Sequence, residues 1–166
     1  MLKTTLLLAV AASALVAADV KSEFLDEVSA LEKKYTSLAE AIPADKYTWR
    51  PGDGVRSISE AFMHVAGANY MLPRMVGVTP PQGLERGMEK SVTAKAEVIA
   101  QLRKSFEHVR AAAQASAEPD KMIKLFGREV SQRYFLTFLA HHMHEHLGQL
   151  IAYARMNKVT PPWSQG

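Results

Sequence analysis

Apolar residues recur every three or four positions in four separate stretches of this chain, each about twenty residues long. That spacing places the apolar side chains on one face of an α-helix. The predicted helices span residues 20–42, a stretch beginning at Ser57, residues 92–115 and residues 131–156. With 166 residues, the chain is long enough for a single core. The pattern therefore predicts an all-α fold, a four-helix bundle.

Segments rich in proline and glycine separate these helices. The proline- and glycine-containing stretch at residues 43–57 predicts an ordered loop with Tyr47 and Trp49 as apolar anchors. Residues 73–90 contain three prolines and three glycines, and they predict a long irregular connection between the second and third helices. A small turn or hairpin is predicted around Gly127.

The first eighteen residues have the pattern of a secretory signal peptide. A single positive charge at Lys3 precedes an apolar run, which ends in small residues before Asp19. The alternative is a retained membrane anchor, but the apolar run is short of the about 20 residues that a spanning helix needs. We therefore expect a signal peptide at residues 1–18, one domain at residues 19–166, and an exported protein, periplasmic or secreted.

Composition excludes several classes of site. The chain contains no cysteine, so it has neither disulfides nor a thiolate ligand or nucleophile. The formal net charge is +3, yet the lysines and arginines are spread along the sequence without a basic block. We therefore expect no nucleic-acid partner. Signal cleavage would also leave no membrane-spanning segment.

Four of the six histidines fall within the short stretch HHMHEH of the last predicted helix. The predicted inward stripe of that helix runs through Phe135, Leu139, His142, His146, Leu150 and Tyr153. Side chains four residues apart are neighbours on one helical face, so His142 and His146 can share one metal ion. The other histidines of the stretch, His141 and His144, are predicted at the surface, as is His108 on the third helix.

A third ligand would distinguish a metal site from a histidine pair satisfied by other hydrogen bonds, for example with Tyr153 or with backbone carbonyls. His64 is the candidate, because Ala61 and Ala68 on the same helix leave room for an imidazole to reach across the bundle. The same local pattern also fits a boundary histidine beside the core.

Two motifs resemble those of DinB-like proteins. One is H-x-x-x-H-x-G-Q-L, starting at His142, followed by PPW at residues 161–163. The other runs from W-R-P at residues 49–51 to VRSISEAFMHVAG, which contains His64. The resemblance covers essentially all of residues 19–166. It implies an up-down-down-up four-helix bundle, a homodimer, and a divalent-metal site formed by one histidine of the second helix and two of the last.

By motif position, the metal ligands implied by the resemblance are His64, His142 and His146. Three imidazoles leave coordination positions open, which is typical of a catalytic site. We expect zinc, with nickel, copper or iron as alternatives. The resulting hypothesis is a metal-dependent hydrolase or transferase acting on an unknown small molecule. The alternatives are a non-enzymatic metal-binding module and a structural helical bundle.

Several polar and sulfur-containing side chains lie near these histidines in the sequence. Gln149 is a candidate partner for a histidine ligand, Glu60 is predicted to cap the second helix within an S-x-x-E pattern, and Glu145 is predicted to face solvent. Four methionines are expected to fill the core, although their thioethers keep a copper-handling role open. They are Met63, Met71, Met75 and Met143.

Overall fold

A computed structural model describes the backbone of residues 2–82, 84 and 87–164, and the side chains of residues 20–82, 84 and 87–164. Its helices are α1 (Leu2–Ala41), α2 (Ile58–Met71), α3 (Met88–Ser91), α4 (Lys95–Ala115) and α5 (Gln132–Met156). Short 3-10 turns occupy Ala44–Lys46, Leu72–Val76 and Pro162–Ser164. Four long helices dominate, so the predicted all-α class is confirmed.

The long helices enclose one apolar core. Helix α1 packs against α4 and α5, and α2 packs against the same two helices from the other side. The stripe predicted on α1 is fully buried; it consists of Phe24, Val28, Leu31, Tyr35, Leu38 and Ile42. Tyr47 is buried as predicted, and Trp49 packs on Tyr153 with ring centroids 5.7 Å apart. The loop before α2 is therefore anchored to α5.

The N-terminal part of α1 contains the predicted signal peptide. The side chains of residues 1–18 lie outside the described part, so the signal peptide stays a prediction. Among the residues that the structure describes, no helix is both long enough and apolar enough to cross a membrane.

Helix α2 begins with the predicted capping box. The backbone N–H of Glu60 donates to the Ser57 hydroxyl at 3.2 Å, and the Ser57 N–H donates to the Glu60 carboxylate at 2.8 Å. These two bonds satisfy backbone donors that the first helical turn leaves free. The capping box fixes the first residue of α2. It thereby sets the direction in which His64, seven residues after Ser57, projects from the helix.

The connection after α2 is more regular than predicted. Its last residues form α3, which is anchored by buried Met88. The residue before this helix, Gly87, adopts the left-handed conformation (φ 90°). A single helical turn has too little periodicity to be read from sequence and depends on tertiary contacts. The predicted third helix starts at Lys95, because Val92 adopts extended backbone (φ −93°, ψ 100°).

The predicted hairpin around Gly127 is confirmed. Strands β1 (Met122–Leu125) and β2 (Arg128–Ser131) are antiparallel, with Leu125 opposite Arg128. The turn residues Phe126 and Gly127 both have positive φ, 49° and 82°. Positive φ at both positions is the type I′ conformation that suits two-residue hairpins.

The inward stripe predicted on the last helix was wrong at its centre. The fully buried positions there are Met143 and Leu147, whereas His142 and His146 are half-buried. A helix advances about 100° per residue. Each histidine therefore projects from α5 about 100° away from the buried residue that follows it, in a direction where solvent can still reach the ring. The site lies at the edge of the core and not within it.

Candidate metal site

The three histidines predicted as ligands converge between α2 and α5. His64 comes from α2, and His142 and His146 come from successive turns of α5. One ring nitrogen of each lies within 4.8 Å of the corresponding atom of the other two. The imidazole centroids are 5.3 Å apart for His64 and His142, 4.6 Å for His64 and His146, and 4.7 Å for His142 and His146. The group has the geometry of a potential three-histidine metal site.

Burial favours the neutral form of His142 and His64. It lowers the pKa of His142 to about 4, and the nearby His146 and His64 act in the same direction. Burial also lowers the pKa of His64, against an opposing effect of its hydrogen bond to Glu89. Metals bind the neutral imidazole. At neutral pH, therefore, His142 and His64 do not have to lose a proton before coordinating an ion.

Glu89 fixes the tautomer of His64. Nδ1 of His64 lies 3.0 Å from Glu89 Oε2, and Arg56 Nε donates to Glu89 Oε1 at 2.7 Å. A carboxylate only accepts hydrogen bonds, so Nδ1 of His64 carries the proton. Its Nε2 then keeps a free lone pair. A carboxylate behind a histidine is the usual outer support of a metal-binding imidazole.

A second hydrogen-bonded chain supports His146. Gln149 Nε2 donates to the Tyr153 hydroxyl at 2.9 Å, so the amide oxygen of Gln149 faces His146 Nδ1, also at 2.9 Å. Nδ1 of His146 is therefore the donor, and its Nε2 retains the lone pair. The prediction that Gln149 contacts a histidine of the site is confirmed.

The spacing between His64 and His142 fits a shared metal ion. Their Nε2 atoms lie 3.3 Å apart. Two nitrogens bound to zinc at about 2.0–2.1 Å with tetrahedral angles would be separated by about 3.3–3.4 Å. Because Nε2 of His64 carries no proton, it can accept a hydrogen bond from Nε2 of His142 at this distance or share one ion with it. The donor set fits a divalent ion that prefers imidazole.

The remaining histidines take no part in this group. His141 is exposed, and His144 is exposed and pairs with Glu27 at 2.5 Å, as expected for surface residues. His108 was predicted at the surface but is partly buried, and its ring packs on Tyr70 with centroids 5.6 Å apart. The charged sequence around His108 suggested exposure, but its own side chain turns toward α2.

Polar residues near the site behave as predicted. Glu145 is exposed, and Glu60 is engaged in the capping box. Glu60 also accepts a hydrogen bond from Arg50 at 3.2 Å. Neither carboxylate is hydrogen-bonded to the histidines, whereas Glu89 is bonded to His64.

Glu89 and Arg56 are functional candidates that the sequence did not reveal. Glu89 lies in α3, within the segment predicted to be irregular, and Arg56 lies in the loop before α2. No periodicity links either residue to the histidines. Acidic residues in connections are common, and only the folded chain brings this pair next to the histidines.

An apolar cavity adjoins the histidines. It has a volume of about 560 Å³, and His64, His142 and Glu89 form part of its wall. A ligand in this cavity would lie beside any ion bound by the histidines. The open coordination positions expected for three protein ligands therefore have space next to them.

A sequence profile of the DinB superfamily matches residues 27–150, a range that contains all three histidines together with Glu89 and Gln149. This chain belongs to the DinB superfamily. The match covers most of the four-helix region, from the middle of α1 to the last third of α5. It confirms the family that the two sequence motifs indicated.

Solved structures show the same fold as this DinB superfamily protein. A DinB-like protein from Bacillus cereus ATCC 10987 has 17% sequence identity and a TM-score of 0.73, over 84% of this chain and 93% of that chain. A DinB-like protein from Bacillus subtilis has 20% identity and a TM-score of 0.66, over 83% and 94%. A comparison with curated proteins gave no significant match.

Proposed function

We propose that this DinB superfamily protein binds one divalent metal ion through His64, His142 and His146 and acts on a small molecule as a hydrolase or transferase. The observation that carries the proposal is the paired outer support. Glu89 and Gln149 accept the Nδ1 protons of two histidines, so their Nε2 lone pairs remain available to one ion.

Neighbouring residues would hold two of the histidine ligands in position before an ion binds. Glu89, itself bound by Arg56, orients His64, and the Gln149–Tyr153 pair orients His146. Such preorganisation reduces the entropy lost when ligands are immobilised around a metal. A bound divalent ion would supply Lewis acidity, able to polarise a substrate oxygen or to lower the pKa of a substrate thiol.

Zinc is the proposed ion, ahead of nickel, copper and iron. Three imidazoles with no thiolate suit all four metals, and tetrahedral zinc sites commonly combine three protein ligands with an open position. The thioether of Met63 is fully buried and lines the adjoining cavity. That position keeps copper as the main competitor.

Elemental analysis tests the metal site. Metal-stripped full-length protein would be equilibrated with equal concentrations of zinc, nickel, copper and iron salts, freed of unbound ions, and assayed by mass spectrometry. We expect one ion per chain in the wild type and in His141→Ala, a matched variant of an exposed neighbour. We expect none in His64→Ala or His142→Ala at preserved helical content. Wild-type protein without metal, or metal retained in both site variants, would refute the proposal.

We also propose that the protein is exported. The support is the N-terminal pattern of one lysine, an apolar run and small residues before Asp19. Expression of the full chain with fractionation and mass measurement tests this proposal. The expected product outside the cytoplasm lacks residues 1–18. An uncleaved chain retained in the cytoplasm would contradict export without bearing on the metal site.

A further inference from the structure

The wall of the cavity beside the histidines is mostly apolar. Among the described residues, ten of its thirteen lining positions carry no polar side chain. They are Met63, Gly67, Ala68, Met71, Leu72, Leu84, Gly87, Met88, Phe126 and Phe138. No lysine or arginine is part of this described lining. Burial of an apolar group against these side chains is favourable, because it removes apolar surface from water.

The polar groups of the lining share one region of the wall. His64 and His142 lie 3.3 Å apart, and Glu89 is hydrogen-bonded to His64. The cavity therefore offers apolar surface for most of a ligand and a polar site for one end of it. Its volume, about 560 Å³, lies in the range typical of small-molecule pockets, about 300–1,000 Å³.

Methionines give this wall an adaptable shape. Met63 and Met88 are buried, and Met71 is 44% exposed. Unbranched thioether side chains can change rotamer at little cost, and they are common where one surface accommodates several apolar ligands. The wall therefore favours a class of apolar groups over one rigid shape.

The hairpin tip adds an exposed aromatic ring to the same cavity. Phe126 is 71% exposed and packs edge-on against Phe138, with centroids 5.9 Å apart. It also adopts positive φ, which is costly for a bulky residue outside glycine-like positions. An exposed phenylalanine in a strained turn contributes little to folding, which is consistent with a role in contacting a ligand.

We infer that this cavity holds the apolar body of a small amphiphilic substrate, a medium-chain or aryl compound with one polar head group. The head group would reach His64 and His142, and the body would lie against the methionines, Phe126 and Phe138. This inference rests on the proposed function, because the histidine site is where the head group would react.

Gly67 provides a direct test. It lies in the middle of α2 and lines the cavity, and a Cβ built there would meet no heavy atom within 4 Å. Gly67→Leu therefore fills the cavity without a backbone clash, and it replaces glycine by a better helix former. The matched control is Gly148→Leu, in α5, where the added Cβ also meets nothing and the position is exposed.

Isothermal titration would measure the binding of octanoate, acetate and 1-octanol to the zinc-equilibrated and metal-stripped full chain. With zinc, we expect octanoate to bind at least tenfold more tightly than acetate. Gly67→Leu should remove this preference, and Gly148→Leu should keep it. Without metal, 1-octanol should still bind the wild type and lose affinity in Gly67→Leu. Ala68→Leu is a second filling variant should Gly67→Leu fail to fold.

The outcomes separate the two proposals. Equal affinities for octanoate and acetate, or an unchanged preference in both filling variants, would overturn the cavity assignment even if zinc binds. Binding of 1-octanol that depends on Gly67, in a protein that takes up no metal, would support the cavity while refuting the metal site. A wild-type dimer that becomes monomeric in Gly67→Leu, with no binding of octanoate or 1-octanol to the wild type, would mean that a second copy covers this face.

Discussion

His64 and Glu89 are 25 residues apart in the sequence, yet Nδ1 of His64 and a carboxylate oxygen of Glu89 lie 3.0 Å apart. The bond joins helix α2 to the one-turn helix α3, which is also anchored by buried Met88 and by the Arg56–Glu89 ion pair. It also selects the tautomer that leaves Nε2 of His64 free. This one hydrogen bond therefore both holds α3 against α2 and determines which nitrogen of His64 is available to a metal ion.

Replacing Glu89 with alanine should weaken metal binding by about 10–100-fold, the usual effect of losing the outer partner of a histidine ligand. The imidazole would remain but would lose the hydrogen bond that fixes its orientation and its tautomer. Competition with a chromophoric chelator measures the affinity. The control is Glu145→Ala, which removes an exposed carboxylate from α5. Equal affinities in the two variants would show that Glu89 does not position His64.

Tyr35→Phe should lower the free energy of unfolding by about 0.5–1.5 kcal/mol. The buried hydroxyl donates to the backbone carbonyl of Met143 at 2.5 Å and ties α1 to the histidine-bearing part of α5. Burial raises the pKa of Tyr35, so the donor stays protonated. The ring would keep its contacts with Phe62 and Phe106.

Urea denaturation measures the effect of Tyr35→Phe, and Tyr134→Phe is the control because Tyr134 is 47% exposed. The control should change stability by less than about 0.5 kcal/mol. A loss of stability no larger than that of Tyr134→Phe would contradict a structural role for the bond between α1 and α5.

The sequence alone predicts the parts of the fold that follow a periodic or local pattern. Each long helix carries several turns of apolar spacing, and Ser57 with Glu60 marks the start of α2 by a local rule. The pairing of His142 with His146 also follows from helical spacing alone. These features depend on residues within a few positions of one another, which is why a single sequence can specify them.

Features that depend on tertiary contacts were missed. The centre of the buried stripe on α5 was predicted one position too early, because a seven-residue rhythm through His142 and His146 fits almost as well as the true line through Met143 and Leu147. Only packing against α1 and α2 distinguishes the two. The Arg56–Glu89–His64 chain likewise joins three separate segments, and no local pattern encodes it.

Acid should destabilise the protein partly through Glu60. Its hydrogen bond from the Ser57 backbone N–H lowers the pKa of the carboxyl below its usual value of 4.5. A carboxyl with a lower pKa in the folded state stabilises the fold above its unfolded pKa, and this contribution is lost as the pH falls through the folded pKa. Glu60→Gln should thus be less stable than wild type at pH 7, and the difference should shrink as the pH falls below 4.5 and through the lower pKa of the folded carboxyl.

Thermal unfolding of metal-stripped protein between pH 3 and pH 7 measures this difference, with Glu145→Gln as a control for the loss of one carboxylate. Using metal-free samples keeps ion release from contributing to the curves. A constant gap between Glu60→Gln and wild type over the whole range would mean that the capping box does not respond to acid.

Substitution of Phe126 should affect the stability of the fold and the affinity for a ligand in opposite directions. Asparagine adopts the positive φ of this turn position more readily than phenylalanine. Relief of that strain is worth about 1–3 kcal/mol, against about 0.5–1.5 kcal/mol for the lost edge contact with Phe138. Phe126→Asn should therefore unfold with unchanged or slightly higher stability. It should also bind octanoate several-fold more weakly.

Phe126→Leu is the matched comparison, since leucine keeps an apolar side chain but gains no preference for positive φ. The two variants should rank in opposite orders: asparagine above leucine in urea denaturation, and leucine above asparagine in octanoate affinity. Because the residue is 71% exposed, loss of buried area contributes little to either ranking. Octanoate affinity equal to wild type in both variants would show that the hairpin tip does not contact the ligand, and the cavity would then end at Phe138.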